Sequence, residues 1–323
     1  MLTIHSSPLQ GFTDFRFRNA FQRYFGGIDK YIAPYIRLNG IMDVKPANER
    51  DILPANNKSL DLIPQIITRD ADEFLIVAKY VQKLGYNELN WNLGCPYPMI
   101  AKKGMGAGLL SMPGKINEIL KRVFAETNIQ LSVKMRLGYE SPQEILHVLP
   151  VLERYPLTNI AIHPRIGKQI YKGDVDLKSF EKCLGLSSHK IFYNGDITSV
   201  QRFREMKERF PTINNWMVGR GLIADPFLPS MIKADNSAYP DNRYEILNSF
   251  HDALFSSYEE ALSGQKHLLI KMYPFWEFFI QSFPHSPKYL KKIKKAQTLS
   301  VYREAVKQII YNEAVNIARH SPS

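Results

Sequence analysis

Short runs rich in Val, Ile and Leu recur along the first two-thirds of the chain at intervals of roughly 20–30 residues, each followed by a helical pattern or a helix-start signal. Strands are predicted at residues 2–5, 31–36, 62–68, 88–93, 130–137, 159–163, 190–193 and 215–218. The clearest helix follows Asp70: Glu73 stands at the capping-box position, Phe74, Val77, Ala78, Val81 and Leu84 keep helical spacing, and Gly85 ends it. A second starts at Thr198 and Ser199 and carries Val200, Phe203, Met206 and Phe210 on one side. Eight βα units in about 240 residues match a closed (β/α)8 TIM barrel, with an open doubly wound sheet as the structural competitor. Polar residues at successive strand ends (Gln65, Asn92, Lys134, His163, Asn194 and Arg220) favour the barrel, because its mouth brings those ends together. The polar stretch 233–242 reads as a linker, and beyond it the pattern is helical. The expected division is a barrel domain, 1–235, followed by a small all-helical domain, 243–323.

Composition narrows the class. The 323 residues are 45% hydrophobic and 23% charged, the usage of an ordinary folded protein. No apolar run reaches membrane-spanning length and the N-terminus lacks a signal pattern, so a soluble cytoplasmic protein is expected. Two cysteines, Cys95 and Cys183, rule out a disulfide scaffold and a thiolate-rich metal site. The formal charge of +11 weakly favours a polyanionic partner such as RNA or DNA, and the position of the charge has to decide. Residues 243–323 hold 11 Lys and Arg against 7 Asp and Glu. A helix predicted from Ser286 and Pro287 puts Lys288, Lys291, Lys292 and Lys295 at i, i+3, i+4 and i+7, while Leu290 and Ile293 turn inward. Four like charges on one face fit either a solvated surface or a binding site for phosphates.

Candidate chemistry sits at the strand ends. Strand parity turns Asn90 and Asn92 into the barrel and Leu89, Trp91 and Leu93 outward, so Cys95 emerges above the mouth before a Gly/Lys-rich loop that could move over a substrate. The same parity turns Lys134 and Arg136 inward, where two cations need an anionic or electron-rich partner. His163 follows by parity from Ala161, with Arg165 beyond it. Asn194-Gly195-Asp196 and Gly219-Arg220-Gly221, at the ends of the seventh and eighth strands, occupy the usual phosphate site of this barrel and suggest a phosphorylated cofactor.

Taken together these segments resemble the flavin-dependent tRNA-dihydrouridine synthases: Pro8-Leu9-Gln10-Gly11-Phe12-Thr13-Asp14, Gln65, Asn92-Leu93-Gly94-Cys95-Pro96, Lys103-Gly104-Met105-Gly106-Ala107, Val133-Lys134-Met135-Arg136-Leu137-Gly138, His163 with Arg165, Asn194-Gly195-Asp196-Ile197 and Gly219-Arg220-Gly221. The resemblance implies a TIM barrel carrying FMN, a helical tRNA-binding domain, NADPH as electron donor, and reduction of the uracil 5,6 double bond. It places Pro8, Leu9 and Gln10 along the flavin ring and Gln65 and Lys134 at its polar edge. His163, Asn194, Gly195, Asp196, Gly219 and Arg220 fall on ribityl and phosphate, and Asn92, Arg136 and Arg165 on the substrate. Cys95 becomes the acid that protonates C5 opposite the incoming hydride. The lysine stripe becomes a tRNA contact. No metal, no membrane and a monomeric state are expected. The tail, 272–311, looks most like the bacterial synthase C subgroup, which acts at D-loop position 16. Departures are Asn90 where Asp is common, Leu9 where Met is usual, and His163-Pro164-Arg165-Ile166 in place of His-Gly-Arg-Thr. Competing readings are a flavin barrel reducing a free pyrimidine or dihydroorotate-like compound, and a non-catalytic RNA-binding barrel.

Overall fold

The computed structural model describes residues 1–38 and 43–320. Its strands are all parallel: β1 (Thr3–Ser6), β2 (Lys30–Ile32), β3 (Leu62–Ile63), β4 (Gln65–Ile66), β5 (Glu88–Leu93), β6 (Gln130–Gly138), β7 (Ile160–Ile166), β8 (Ile191–Tyr193) and β9 (Asn215–Val218). They hydrogen-bond in the order β3-β2-β1-β9-β8-β7-β6-β5-β4. The two ends of that order are halves of one strand. Pro64 lacks an N–H and interrupts the ladder, so β3 pairs with β2 while β4 pairs with β5, and the Pro64 carbonyl accepts from the Asn90 amide at 2.9 Å. The sheet therefore closes into an eight-stranded barrel, and the open-sheet alternative falls away. All eight predicted strands are present.

Period-two alternation divides the barrel walls. Ile32, Ile63, Ala161, Phe192 and Met217 form one buried interior cluster, and the His5 ring lies 4.4 Å from that of Phe192. Leu89, Trp91, Leu93, Val133, Met135 and Leu137 are fully buried on the other face. There Trp91 meets Phe74 of helix α3 edge-on, 5.5 Å between ring centres, and donates its indole N–H to the Thr68 carbonyl.

Helices α1 (Phe15–Tyr24) to α10 follow the strands: α2 (Pro46–Ile52), α3 (Ala71–Lys83), α4 (Pro98–Ala101), α5 (Pro113–Glu126), α6 (Glu144–Leu152), α7 (Leu177–Leu184), α8 (Val200–Arg209), α9 (Arg220–Ala224) and α10 (Leu228–Ala234). The N-terminus of α3 shows how local chemistry sets a boundary. The Asp70 carboxylate accepts from the Asp72 and Glu73 amides at 2.9 and 3.0 Å. Glu73 does not close the expected capping box directly; it takes the Thr68 hydroxyl at 2.6 Å, and that hydroxyl receives the Asp70 amide. Gly85, at φ +93°, supplies the left-handed residue that stops the helix.

Two compact units share the chain. The first holds residues 1–15, 28–197 and 204–219, and so all the strands. The second holds 16–27, 198–203 and 220–323, including α11 (Arg243–Glu259), α12 (Gln265–Phe279), α13 (Leu290–Lys295) and α14 (Leu299–His320). The second unit draws on three separate stretches, because Phe17 and Phe21 of α1 pack into its aromatic core: Phe17 stands 5.9 Å from Phe250 and 6.4 Å from Phe275. Its centre is polar but satisfied. Trp276 donates to the Tyr302 hydroxyl at 2.7 Å, and that hydroxyl in turn meets the His251 ring at 2.8 Å. Among the described residues no helix is long and apolar enough to cross a membrane.

Candidate active site

The exit of β5 is built by one side chain. Asn92 turns its carbonyl oxygen back onto the amides of Gly94 and Cys95 at 3.0 and 2.9 Å, an Asx-type turn that fixes where the thiol leaves the strand. Its own amide donates to Gln65 at 2.9 Å, Gln65 donates to Asn90 at 2.7 Å, and Asn90 donates to Ser132 at 2.9 Å. This chain crosses the barrel interior from β4 to β6. It leaves Asn92 one amide N–H, and Gln65 one N–H and one acceptor lone pair, for a ligand.

Cys95 is buried, packed with Ile67, Ile100 and Met105, and its sulfur lies 4.0 Å from the Tyr35 hydroxyl. Burial pushes the thiol pKa up, against the opposing pull of the Tyr97 amide, Tyr35, Arg136 and Lys134. At neutral pH the thiol therefore keeps its proton. Cys183, buried on α7, has its pKa pushed up to about 12 by burial and gives its proton to the Ser179 carbonyl, 3.1 Å away; it is a packing residue. The segment after Cys95, expected as a movable loop, is folded onto the thiol. The Ala107 amide donates to the Cys95 carbonyl at 3.0 Å, and a Cβ at Gly106 would lie 2.8 Å from the Cys95 Cβ.

Two cations project from β6 towards this turn. Lys134 has no hydrogen-bonding or ionic partner among the described residues, and burial, with Arg136 nearby, drives its pKa down to about 7. Arg136 is 2% exposed and held from the far side, donating to the carbonyls of Ile166 and Ile170 at 2.8 and 2.6 Å while its guanidinium lies 5.3 Å from the Tyr171 ring centre. Burial lowers its pKa to about 10. Ile170 sits at φ 52°, a left-handed conformation costly for a β-branched residue, so the carbonyl that grips Arg136 belongs to a strained turn.

Arg165 occupies the next strand end. It forks onto Asp196 at 3.0 and 2.5 Å, donates to the Gly173 carbonyl at 2.6 Å, and meets His163 Nε2 at 3.1 Å. An arginine cannot accept, so Nε2 of His163 is the acceptor and its ring proton sits on Nδ1. The buried Nε of Arg165 has no partner among the described residues. Arg165, expected as a substrate contact, is thus placed to position Asp196 and His163. Asp196 adopts φ 46°, and Asn194 anchors β8 to β9 through the Met217 carbonyl at 2.8 Å. A Cβ on Gly195 would lie 3.0 Å from Val175, and one on Gly219 would lie 3.3 Å from Ser7 and 3.8 Å from Leu9. The ends of β1 and β9 therefore approach closely beside Pro8, Leu9 and Gln10, in a turn tied by Thr13 to Leu9. Arg220 is the first residue of α9, in the second unit. No cluster of metal-ligating side chains occurs among the described residues.

A family model described as dihydrouridine synthase matches residues 5–318. The chain belongs to the dihydrouridine synthase family. It is 24% identical over 310 residues to a probable tRNA-dihydrouridine synthase of Rhodobacter capsulatus, with 93% of each chain covered. It is 27% identical over 241 residues to a tRNA-dihydrouridine(16) synthase of Neisseria meningitidis serogroup B, with 72% of each covered. Among solved structures, a morphinone reductase mutant in complex with tetrahydroNAD aligns with TM-score 0.52 at 10% identity, over 72% of this chain and 86% of that one. A 2-naphthoyl-CoA reductase aligns with TM-score 0.53 at 12% identity, over 78% of this chain and 53% of that one. These two likenesses establish the barrel fold alone.

In this dihydrouridine synthase-family chain the structure adds three tyrosines that the sequence reading missed: Tyr35 beside the thiol, Tyr171 over Arg136 and 6.3 Å from His163, and Tyr97. Each lies just beyond a strand's C-terminal end, a signal the sequence offered in retrospect. The lysine-rich segment of the second unit also differs in detail. Lys288 belongs to a 3-10 turn, Pro287–Tyr289, and only Leu290–Lys295 is α-helical, so the stripe is two short elements. All four lysines are exposed, Ile293 is buried beneath them, and Lys292 bonds Gln308 of α14 at 2.9 Å.

Proposed function

We propose that this enzyme reduces the C5–C6 bond of a D-loop uridine in tRNA to dihydrouridine, with FMN as bound cofactor and NADPH as electron source. One observation carries the reading: a thiol kept protonated by burial shares a barrel mouth with Lys134, a largely buried lysine with no carboxylate partner among the described residues. A buried lysine without a counter-charge is costly, and an electron-rich ring edge relieves that cost. The residues present fit a flavin mononucleotide. Pro8, Leu9 and Gln10 would lie along its ring, Gln65 and Lys134 would meet its polar edge, and His163, Asn194, Gly195, Asp196 and Gly219 would hold the ribityl chain and phosphate. The orphaned Nε of Arg165 supplies a further donor on that side.

When bound, the flavin supplies the hydride that goes to uracil C6. The protein does the rest. Arg136, fixed by Ile166 and Ile170, and the free N–H of Asn92 would orient the uracil carbonyls and stabilise charge developing on O4. Cys95 would deliver its proton to C5, and burial holds that proton until it is needed. Outside the barrel, the exposed lysines at 288, 291, 292 and 295 would take tRNA phosphates, helping to offset the few kcal/mol needed to unstack the target nucleotide.

The test is direct. Purified protein should carry flavin absorbance at about 450 nm and, given NADPH and unmodified tRNA, should yield dihydrouridine at one D-loop site by mass spectrometry. Position 16, named for the Neisseria relatives, is the first to examine. A yellow protein that reduces a free pyrimidine and leaves tRNA unmodified would replace this reading with the small-molecule one.

A further inference from the structure

The segment after the acid thiol presents an apolar tip to solvent. Tyr97 is 48% exposed and Met99 74% exposed, whereas Ile100 and Ala101 next to them are buried. Exposed large hydrophobic side chains are few among the described residues, and two of them fall within four residues of Cys95. The tip is firmly seated. Ile100 and Met105 pack with Cys95 and Ile67, the Ile100 and Ala101 amides donate to the Tyr97 carbonyl at 2.8 and 2.9 Å, and a Cβ on Gly108 would lie 2.0 Å from the Ala101 carbonyl oxygen. The Tyr97 amide donates to the Cys95 sulfur, and partial burial pushes the pKa of the Tyr97 hydroxyl up. Lys102 and Lys103 are exposed on the same segment, which carries no acid from Leu93 to Ser111.

We infer that Tyr97-Pro98-Met99 is a wedge that enters RNA beside the target uridine, replacing the lost stacking of the extruded base, with Lys102 and Lys103 on the flanking phosphates. This inference rests on the tRNA reading. Its physical basis is that pulling a base from a stacked loop leaves apolar faces exposed, and a side chain filling that gap lowers the cost of keeping the base out. Aromatic and thioether groups serve because every base offers a π-face, so the contact tolerates any neighbour. Charge selects RNA over a protein partner: an apolar tip followed by two exposed lysines, on a segment without an acid, suits a strand with phosphates beside the gap.

The test uses the flavin-loaded full chain and a tRNA with 2-aminopurine next to the target uridine, whose fluorescence rises when stacking is lost. Met99→Ser and Tyr97→Ala are both at exposed positions, so folding is preserved, and Tyr97→Phe keeps the ring. The two truncations should leave the bound 2-aminopurine brighter at saturation, because nothing restacks on it, and lower kcat/KM on folded tRNA roughly tenfold, while Tyr97→Phe stays near wild type. On an RNA whose target uridine is flanked by abasic sites, the same truncations should cost less than about threefold, because little stacking remains to be replaced. Equal losses on both RNAs, or no loss on either, would overturn the wedge; the second result would assign the tip to a protein surface. A wild-type chain that makes no dihydrouridine in either RNA overturns the tRNA reading itself, and the fluorescence then decides the wedge separately.

Discussion

Lysines do opposite work in the two units. Lys134 stands inside the barrel, where burial and the neighbouring Arg136 push its pKa down to about 7 and no carboxylate balances it. The lysines at 288, 291, 292 and 295 stand in water; Lys288 and Lys292 lie over the Tyr289 ring, and Lys292 also donates to the Gln308 side-chain carbonyl. A charge taken from water acts strongly over short range and defines one ligand position, whereas exposed charges act as a screened field that any phosphate chain can satisfy. Under the proposed function, that difference would fit the first region to chemistry and the second to salt-dependent binding.

The largest expected effect tests the chemical side. Cys95→Ala should lower dihydrouridine formation by about a thousandfold, within the range for loss of a general acid, while NADPH still bleaches the flavin. Wild-type yield from that variant would remove the acid from this site. A smaller effect tests the other region: Glu at positions 288, 291, 292 and 295 together should weaken tRNA binding by about a hundredfold near 0.1 M salt and flatten the log–log salt slope by roughly two to three units. If the slope is unchanged, the lysine face is an ordinary solvated surface.

The smallest effect separates burial from charge. With a folded pKa near 7 and an ordinary value of 10.5, Lys134 destabilises the flavin-free chain fully below about pH 7. That penalty fades as pH rises towards 10.5, since the folded state releases its proton first. Lys134→Met should therefore raise the urea midpoint at pH 6, with the gain shrinking by pH 10, and should weaken flavin retention at both. A midpoint gain that does not change with pH would point to packing in place of the buried charge.

Much of this was readable before any coordinates. Alternation along 88–93 and 130–137 turned Asn90, Asn92, Lys134 and Arg136 inward, because strand geometry allows only two faces. What each inward group touches was not readable. Asn92 reads as a substrate contact, yet most of its hydrogen-bonding capacity builds the turn that places Cys95. Arg165 reads as another, yet it is forked onto Asp196, 31 residues away. The break at Pro64 and the incorporation of α1 into the helical unit also depend on partners distant in sequence.

The chain by itself determined the repeat of βα units, the inward faces of its strands, the thiol at the exit of β5 and the cationic helical tail. These follow from periodicity and from side-chain type, which are local. Only the tertiary structure decided which inward cations have partners among the described residues and that Lys134 has none there, and that the glycine-rich segment seats Tyr97 and Met99 as a fixed tip. Hydrogen bonds and desolvation depend on what surrounds a group in space, and residues far apart in the sequence supply those surroundings.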